Sequence, residues 1–505
     1  MGFLMLSRIL QMAVAIGFLL TCDAVTRINP EVREYVVNIM KQFFVHESDF
    51  NGTYLEFVPK ALRWELANVL SFEFRVSGIN VEALKMLQQF IGMDNLNTVV
   101  LKRNITHLSA KAYSFDRNIT TLDLSSNQIR EIDKDAFIGL EKLVRLHLEE
   151  NQITQLEGGV FTPLYNLKYL QLNSNNITEV QASWFLENFK LEELFLRNNR
   201  IIHLAEASFV NLPNLNNLHL AHNQLQTLDE EAFRGLTSLK YLTLRNNFIE
   251  RLPLNIFGGL SELSHLDLSD NLLEFIDSRA FRTNEKLFEV ILSRNRITSF
   301  HPDTLAHLEK LKLLELSENQ LVEYNFQGVH AQYIRLTDNH LTELQFNVNA
   351  THIKAESNQI ERVLLPSTMK LCDLQVAGNK IQDLRNITAI TTLESLFISN
   401  NSITSLPGDF HKLTLLSFLD LSHNHLTHLS FDSWPRNITM ASLRELWING
   451  NNFSHLPLQF LDFFSNVTNL NLCDNPWNRT FLMEFDAECR GRNITLIGSN
   501  SNCTN

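Results

Sequence analysis

From residue 119 onward the apolar positions keep one spacing: apolar, two variable, apolar, one variable, apolar, two variable, Asn. Ile119, Leu122, Leu124 and Asn127 form one copy, and Leu143, Leu146, Leu148 and Asn151 form the next. The asparagine returns every 24 residues as far as Asn319, then less evenly at Asn339, Asn358, Asn379, Asn401, Asn424, Asn451 and Asn475. Upstream, Ser77 and Asn104 hold the same place behind Phe72/Phe74 and Val99/Leu101, which gives eighteen repeats from about Val69 to Asn475. The fourth and sixth positions of each copy are two residues apart, so on a strand both point inward. The third, fifth and seventh positions then point outward. Each copy predicts one short parallel strand, and stacked strands line a concave face. After its strand the chain must bend where water is excluded, and an Asn amide offers both a donor and an acceptor to the stranded backbone groups. Phe137, Phe161, Phe185, Phe209, Phe233, Phe257 and Phe281, followed by Leu305, form a second ladder that packs the convex side as core.

Self-similarity at this period specifies an α/β leucine-rich-repeat solenoid, a curved horseshoe of about eighteen parallel-strand coils over residues 69–475. Three spacings, between Asn319 and Asn379, are shorter than the rest. Those coils lack the Phe step and must cross the convex side more directly. The longest spacing, Asn424 to Asn451, contains Trp434-Pro435 and reads as a loop on the outer side. A solenoid exposes core at both ends and needs caps. Residues 25–68 supply the first, with helical spacing at Val32, Tyr35, Val36, Ile39 and Phe43 and a proline near the start. Residues 476–505 supply the second.

The chain opens with Arg8 and an apolar run from Ile9 to Leu20, too short to span a bilayer, followed by small residues. Residues 1–24 read as a signal peptide cleaved after Ala24. With the polar end Ser499 to Asn505, this predicts a protein secreted to the extracellular space in soluble form, without a membrane span. Removing the signal removes Cys22 and leaves Cys372, Cys473, Cys489 and Cys503. One disulfide among Cys473, Cys489 and Cys503 is expected to hold the C-terminal cap, with its pairing open. Cys372 is then unpaired, or links to a partner or a second copy, so an oligomer stays open. Thirteen Asn-x-Ser/Thr sequons occur. Asn51, Asn118, Asn176, Asn349, Asn386, Asn400, Asn437, Asn452, Asn466, Asn478, Asn493 and Asn502 are glycosylation candidates. Asn104 is a ladder position, so its sequon should go unused. No sequon falls at a third, fifth or seventh position, which predicts a concave face free of sugar.

Composition narrows the function. Of 505 residues, Lys plus Arg is 43 against 56 Asp plus Glu, a formal net charge of −13, so nucleic acid and anionic membranes are poor partners. The outward columns carry carboxylates such as Asp123, Glu149, Asp267, Glu315, Asp373 and Asp420, with Arg145, Arg197, Arg245, Arg335 and Lys354 scattered singly. No phosphate-binding loop, His-Glu-x-x-His or Gly-x-Ser-x-Gly is present. His219 and His222 are close in sequence but occupy positions that point apart, and no Cys-x-x-Cys occurs, so no metal site or cofactor is expected. The expected function is protein binding, not catalysis. Phe397 and Trp447 at fifth positions, with Phe418 at the third position between them, form the first candidate contact strip. Ile291, Leu313 and Tyr333 form a second, weaker one.

The 24-residue copies, with steps such as Ala136-Phe137, Val160-Phe161 and Ala232-Phe233, resemble extracellular leucine-rich-repeat proteins of animals, among them Toll-type receptor ectodomains and adhesion proteins. Asn475-Pro476-Trp477 resembles the start of their C-terminal cap. The short coils near Asn358 are similar to those of secreted insect, mosquito-like leucine-rich-repeat immune proteins. That resemblance implies innate immune recognition or complement-like regulation, with a thioester-type complement protein as partner. Many members carry a C-terminal coiled coil and further cap cysteines that this sequence lacks. The alternative is an extracellular cell-adhesion or developmental module with a cell-surface protein partner.

Overall fold

The computed structural model describes residues 71–74, 97–101, 105–111 and 118–497, apart from 324–325, 348–349, 430, 432–433, 436–438 and 458. The expected signal peptide, the helical N-terminal cap, Asn104 and Cys503 lie outside the described residues. The chain divides into two compact units, 1–247 and 248–505.

In the first unit the eight described inner strands run Ser71–Phe74, Thr98–Leu101, Thr121–Asp123, Arg145–His147, Tyr169–Gln171, Glu193–Phe195, Asn217–His219 and Tyr241–Thr243. Each pairs in parallel with its neighbour in sequence. The register is that of the repeat: Leu122, Leu146, Leu170, Leu194, Leu218 and Leu242 face one another in turn. These leucines, and the sixth-position leucines beside them, are buried. The outward residues between them are half-buried or exposed. The alternation therefore divides one core face from one accessible face.

The second unit continues the same construction from His265–Asp267 to Asn469–Asn471, with Leu266, Val290, Leu314, Ile334 and Ile353 in line, then Leu374, Leu396, Leu419, Leu446 and Leu470. A further strand, Thr495–Ile497, belongs to the C-terminal cap and pairs with Asn469–Asn471. Helix is scarce among the described residues. Its longest piece is Arg479–Gly491, capped by Asn478, whose Oδ1 accepts from the amides of Thr480 and Phe481.

The ladder asparagines do what the repeat requires. In Asn151 the Nδ2 donates to Leu124 O at 2.9 Å in the preceding coil and to Leu148 O at 3.0 Å in its own, while Oδ1 accepts from Ile129 N at 3.0 Å. Asn199, Asn295 and Asn424 repeat the pattern. One amide thus satisfies backbone groups of two coils that water cannot reach. The residue before the ladder Asn has a second task, for which Asn, Asp, His and Gly recur. It adopts a left-handed backbone at Glu150 (φ 57°), Arg294 (φ 54°) and Glu318 (φ 56°), and Gly378 and Gly450 fill the same place. A left-handed residue with a side chain costs about 1–2 kcal/mol. The stacked coils supply the compensation.

On the far side, Phe137, Phe161 and Phe185 stack with centroids 6.0 Å apart, Phe209 and Phe233 follow at 6.5 Å, and Phe257 and Phe281 stack at 5.9 Å. Leu305 is buried in turn. The short coils replace the Phe step with strand. Phe326–Gln327, Glu343–Asn347 and Arg362–Leu364 pair in parallel, and an extended crossing uses fewer residues than a turn. The 424–451 insertion differs from a plain outer loop. Trp434 is buried against Phe431, Phe463 and Phe464, with centroids 4.8, 5.2 and 6.1 Å away. An indole this large contributes more as packing than as solvated surface.

Candidate functional site

The strip in the second unit rests on the strands Ser395–Phe397, Phe418–Asp420 and Glu445–Trp447. Register places Phe397, Asp420 and Trp447 side by side in the fifth column. It places Ser395, Phe418 and Glu445 side by side in the third. Phe397 and Phe418 stack at 4.4 Å, and Trp447 meets Phe418 edge-on at 5.3 Å. All three rings are half-buried, resting on one another and on the sheet with their outer edges open. Trp434 turns to the other side of the coil, so this part of the insertion does not cover them. The cap strand does not cross them either, because Ile497 joins the fifth column beside Asn471.

The charged groups around these rings are carboxylates. Asp420 is buried, and its Oδ1 accepts from the amide and hydroxyl of Ser422 at 2.9 and 2.6 Å. Asp373 Oδ2 accepts from Gln375 Nε2 at 2.8 Å, while its buried Oδ1 has no partner. Burial pushes the Asp373 carboxyl above the usual carboxylate range, against the Gln375 hydrogen bond and the nearby charges of His352 and Lys354. Asn449 Oδ1 is also buried without a partner, while its Nδ2 lies 3.4 Å from His423 Nε2. In the outward columns from Asp373 to Cys473 the charged residues are Asp373, Asp420 and Glu445, with no Lys, Arg or His.

The second sequence-derived strip is looser. Leu313 and Tyr333 are direct neighbours, but Ile291 pairs with Glu315, so the apolar surface is interrupted. Tyr333 instead stacks on His352 at 4.5 Å.

The first unit carries a ring cluster that the sequence reading did not single out. Arg145 lies over Tyr169 at 5.2 Å, and Tyr169 meets His147 at 5.1 Å and Phe195 at 5.0 Å. Phe195 stacks on His219 at 4.6 Å. Burial, with the charges of Glu149 and Glu193, pushes the Tyr169 phenol up. Burial and Arg197 push the His219 imidazole down. These residues occupy third and fifth positions, so the column rule that finds Trp447 also finds them. Alternation between columns, and the mixture of Tyr, Phe and His, conceal them.

The other sequence-derived residues divide as follows. His219 and His222 do not converge: His222 Nε2 lies 3.2 Å from Arg197 Nη2, and its Nδ1 lies 2.6 Å from Asn246 Nδ2. Among the described residues no group of three His, Cys, Asp or Glu is placed to hold a metal ion. Cys473 is disulfide-bonded, and Cys372 and Cys489 are free. Burial, with Glu394 and Asp373 beside it, pushes the Cys372 thiol up, which disfavours the reactive thiolate. Of the sequons, Asn118, Asn386, Asn400, Asn452, Asn466, Asn478 and Asn493 are exposed. Asn176 lines a flank groove of about 710 Å³ with Arg130, Asp133, Gln152 and Glu157. Asn51, Asn349, Asn437 and Asn502 lie outside the described residues.

The family signature described as leucine rich repeat matches residues 117–177 and, in overlapping copies, on to 341, then 370–426. That is more than half of the chain, and the protein belongs to this family. Rat lumican (Rattus norvegicus) is 32% identical over 133 residues, 25% of this chain and 39% of lumican, so the match spans well under half of that relative. A leucine-rich-repeat protein of Leptospira interrogans has the same fold, with a TM-score of 0.59, 22% identity and coverage of 86% of this chain and 97% of its own. The Drosophila Toll–Spatzle complex superposes with a TM-score of 0.49 and 18% identity over 87% of this chain and 79% of that one. No helix among the described residues is long and apolar enough to cross a membrane.

Proposed function

We propose that the protein is a secreted binding protein that takes a protein partner on the concave face of its second unit, in innate immune recognition or complement-like regulation. The observation that carries this reading is the open ring strip of Phe397, Phe418 and Trp447. Three large rings held on adjacent strands, with no cover among the described residues, present rigid apolar area, which is what binding hot spots consist of. The apolar N-terminal run, the sequons and the bonded Cys473 support an extracellular, oxidising location. The short coils support the immune assignment through their likeness to the insect proteins named above. The partner in that setting is a complement-like protein.

Trp447→Ala should weaken capture of the partner from extracellular fluid by about 2 kcal/mol or more, with secretion unchanged. Equal capture by variant and wild type removes the strip from the site. Transcript induction after microbial challenge agrees with the immune role. Steady expression on epithelia or neurons, with a cell-surface partner, favours an adhesion or developmental module instead.

A further inference from the structure

The same strip specifies the charge of what it binds. Five consecutive strands, from Asp373–Gln375 to Asn469–Asn471, present outward columns with three carboxylates and no basic side chain. The carboxylates are interleaved with the rings. Asp420 lies between Phe397 and Trp447 in one column, and Glu445 lies beside Phe418 in the other. Two further acceptor oxygens, on Asp373 and Asn449, are buried without donors.

The basic groups around the strip do not neutralise it. Arg444, on the strand edge, gives Nη1 to the carbonyls of Ala441, Leu443 and Asn466. His352 and Lys354 lie one strand before, beside Asp373 and Gln375 and away from the rings, and His423 lies against Asn449. An anionic partner would meet like charge here. An aliphatic one would desolvate the Glu445 carboxylate without offering it a donor, at a cost. A guanidinium or ammonium group satisfies both elements, because ring faces attract cations, Trp most strongly, and carboxylates accept their hydrogen bonds.

We propose that the Phe397/Phe418/Trp447 strip, with Glu445 and Asp420 between its rings, is the docking site for an arginine- or lysine-bearing segment of a partner protein. This rests on the reading of the strip as a protein-contact site and adds the partner's chemistry to it. The cationic side chain lies against Trp447 and Phe418 and directs its donors to Glu445.

The test uses the full-length secreted protein and three fluorescein-labelled peptides, octa-arginine, octa-glutamate and octa-glycine, followed by anisotropy. Octa-arginine should bind and the other two should not. Trp447→Ala and Glu445→Lys should each lower its affinity about tenfold or more, and Trp447→Phe should retain most of it. Glu309→Lys, at an exposed site away from the outward columns, makes the same change in net charge and should leave the affinity near wild type. The proposal is overturned if octa-arginine fails to bind, or if Glu309→Lys weakens it as much as Glu445→Lys does. The second result would mean diffuse attraction to an acidic protein. If Trp447→Ala is not secreted, Glu445→Lys and Glu445→Gln decide the matter, since Glu445 is half-exposed. Partner capture from extracellular fluid separates the two claims. Capture lost with Trp447→Ala but kept with Glu445→Lys retains the contact site and sinks the cationic partner. Capture kept with both sinks both.

Discussion

At the scale of single residues, the ladder asparagine is the most demanding position in each coil. Asn199 Nδ2 donates to Leu172 O at 2.9 Å and Leu196 O at 3.1 Å, and its Oδ1 accepts from Ile177 N at 3.0 Å. Asn199→Ala strands three buried backbone groups, at a cost of about 3 kcal/mol or more. The damage should be local, read as faster amide exchange around 172–201 with the cap helix unchanged, because a solenoid transmits little beyond neighbouring coils. His219 makes a pH prediction. Its folded-state pKa lies below the usual imidazole value of about 6.5 because of burial and Arg197. Between the two values the unfolded chain binds a proton that the folded chain does not, so stability is lost as pH falls below about 6.5. His219→Gln should reduce the fall in apparent Tm between neutral and mildly acidic pH. An unchanged fall would assign the effect to other groups.

At the scale of elements, the sequence is most legible where one residue type performs one recurring task. The inward apolar pair, the Asn and the convex Phe all recur, and each lies where its spacing places it. The left-handed position before the Asn was legible only in part: Asn198, Asp270 and Gly378 suit it, while Glu150 and Arg294 adopt it because the backbone path imposes it. The role of Trp434 was hidden for a different reason. Its partners Phe463 and Phe464 are distant in sequence, and a Trp-Pro pair in an insertion gives no sign of them. The ring strip was legible as a column rule applied to Phe397, Phe418 and Trp447. The rule did not show that Phe418 would stack on Phe397 and meet Trp447 edge-on across the two columns. The convex spine is the natural test of how far one coil supports the next. Phe161→Ala removes a fully buried ring stacked on Phe137 and Phe185, and should cost about 3–5 kcal/mol. A urea midpoint near wild type would mean that the neighbouring coils close the space.

At the scale of the whole molecule, three of the five cysteines fall in the last 33 residues, and the described cap leaves Cys489 reduced beside the bonded Cys473. Cys489 is fully buried on the helix Arg479–Gly491, and burial, with Glu488 and Asp486 nearby, pushes its thiol up to about 11. Thiol–disulfide exchange proceeds through the thiolate, so once the helix is seated this sulfur is chemically silent at neutral pH. Before that point it is an ordinary competitor for the same bond. The outcome of oxidation therefore depends on order in time: if the helix docks first the native pair forms, and if oxygen arrives first the pairs scramble. Loosening the helix with Phe485→Ala should increase mispaired species on non-reducing gels, and adding Cys489→Ser should abolish that increase. Packing in this cap acts as the protecting group for the Cys489 thiol.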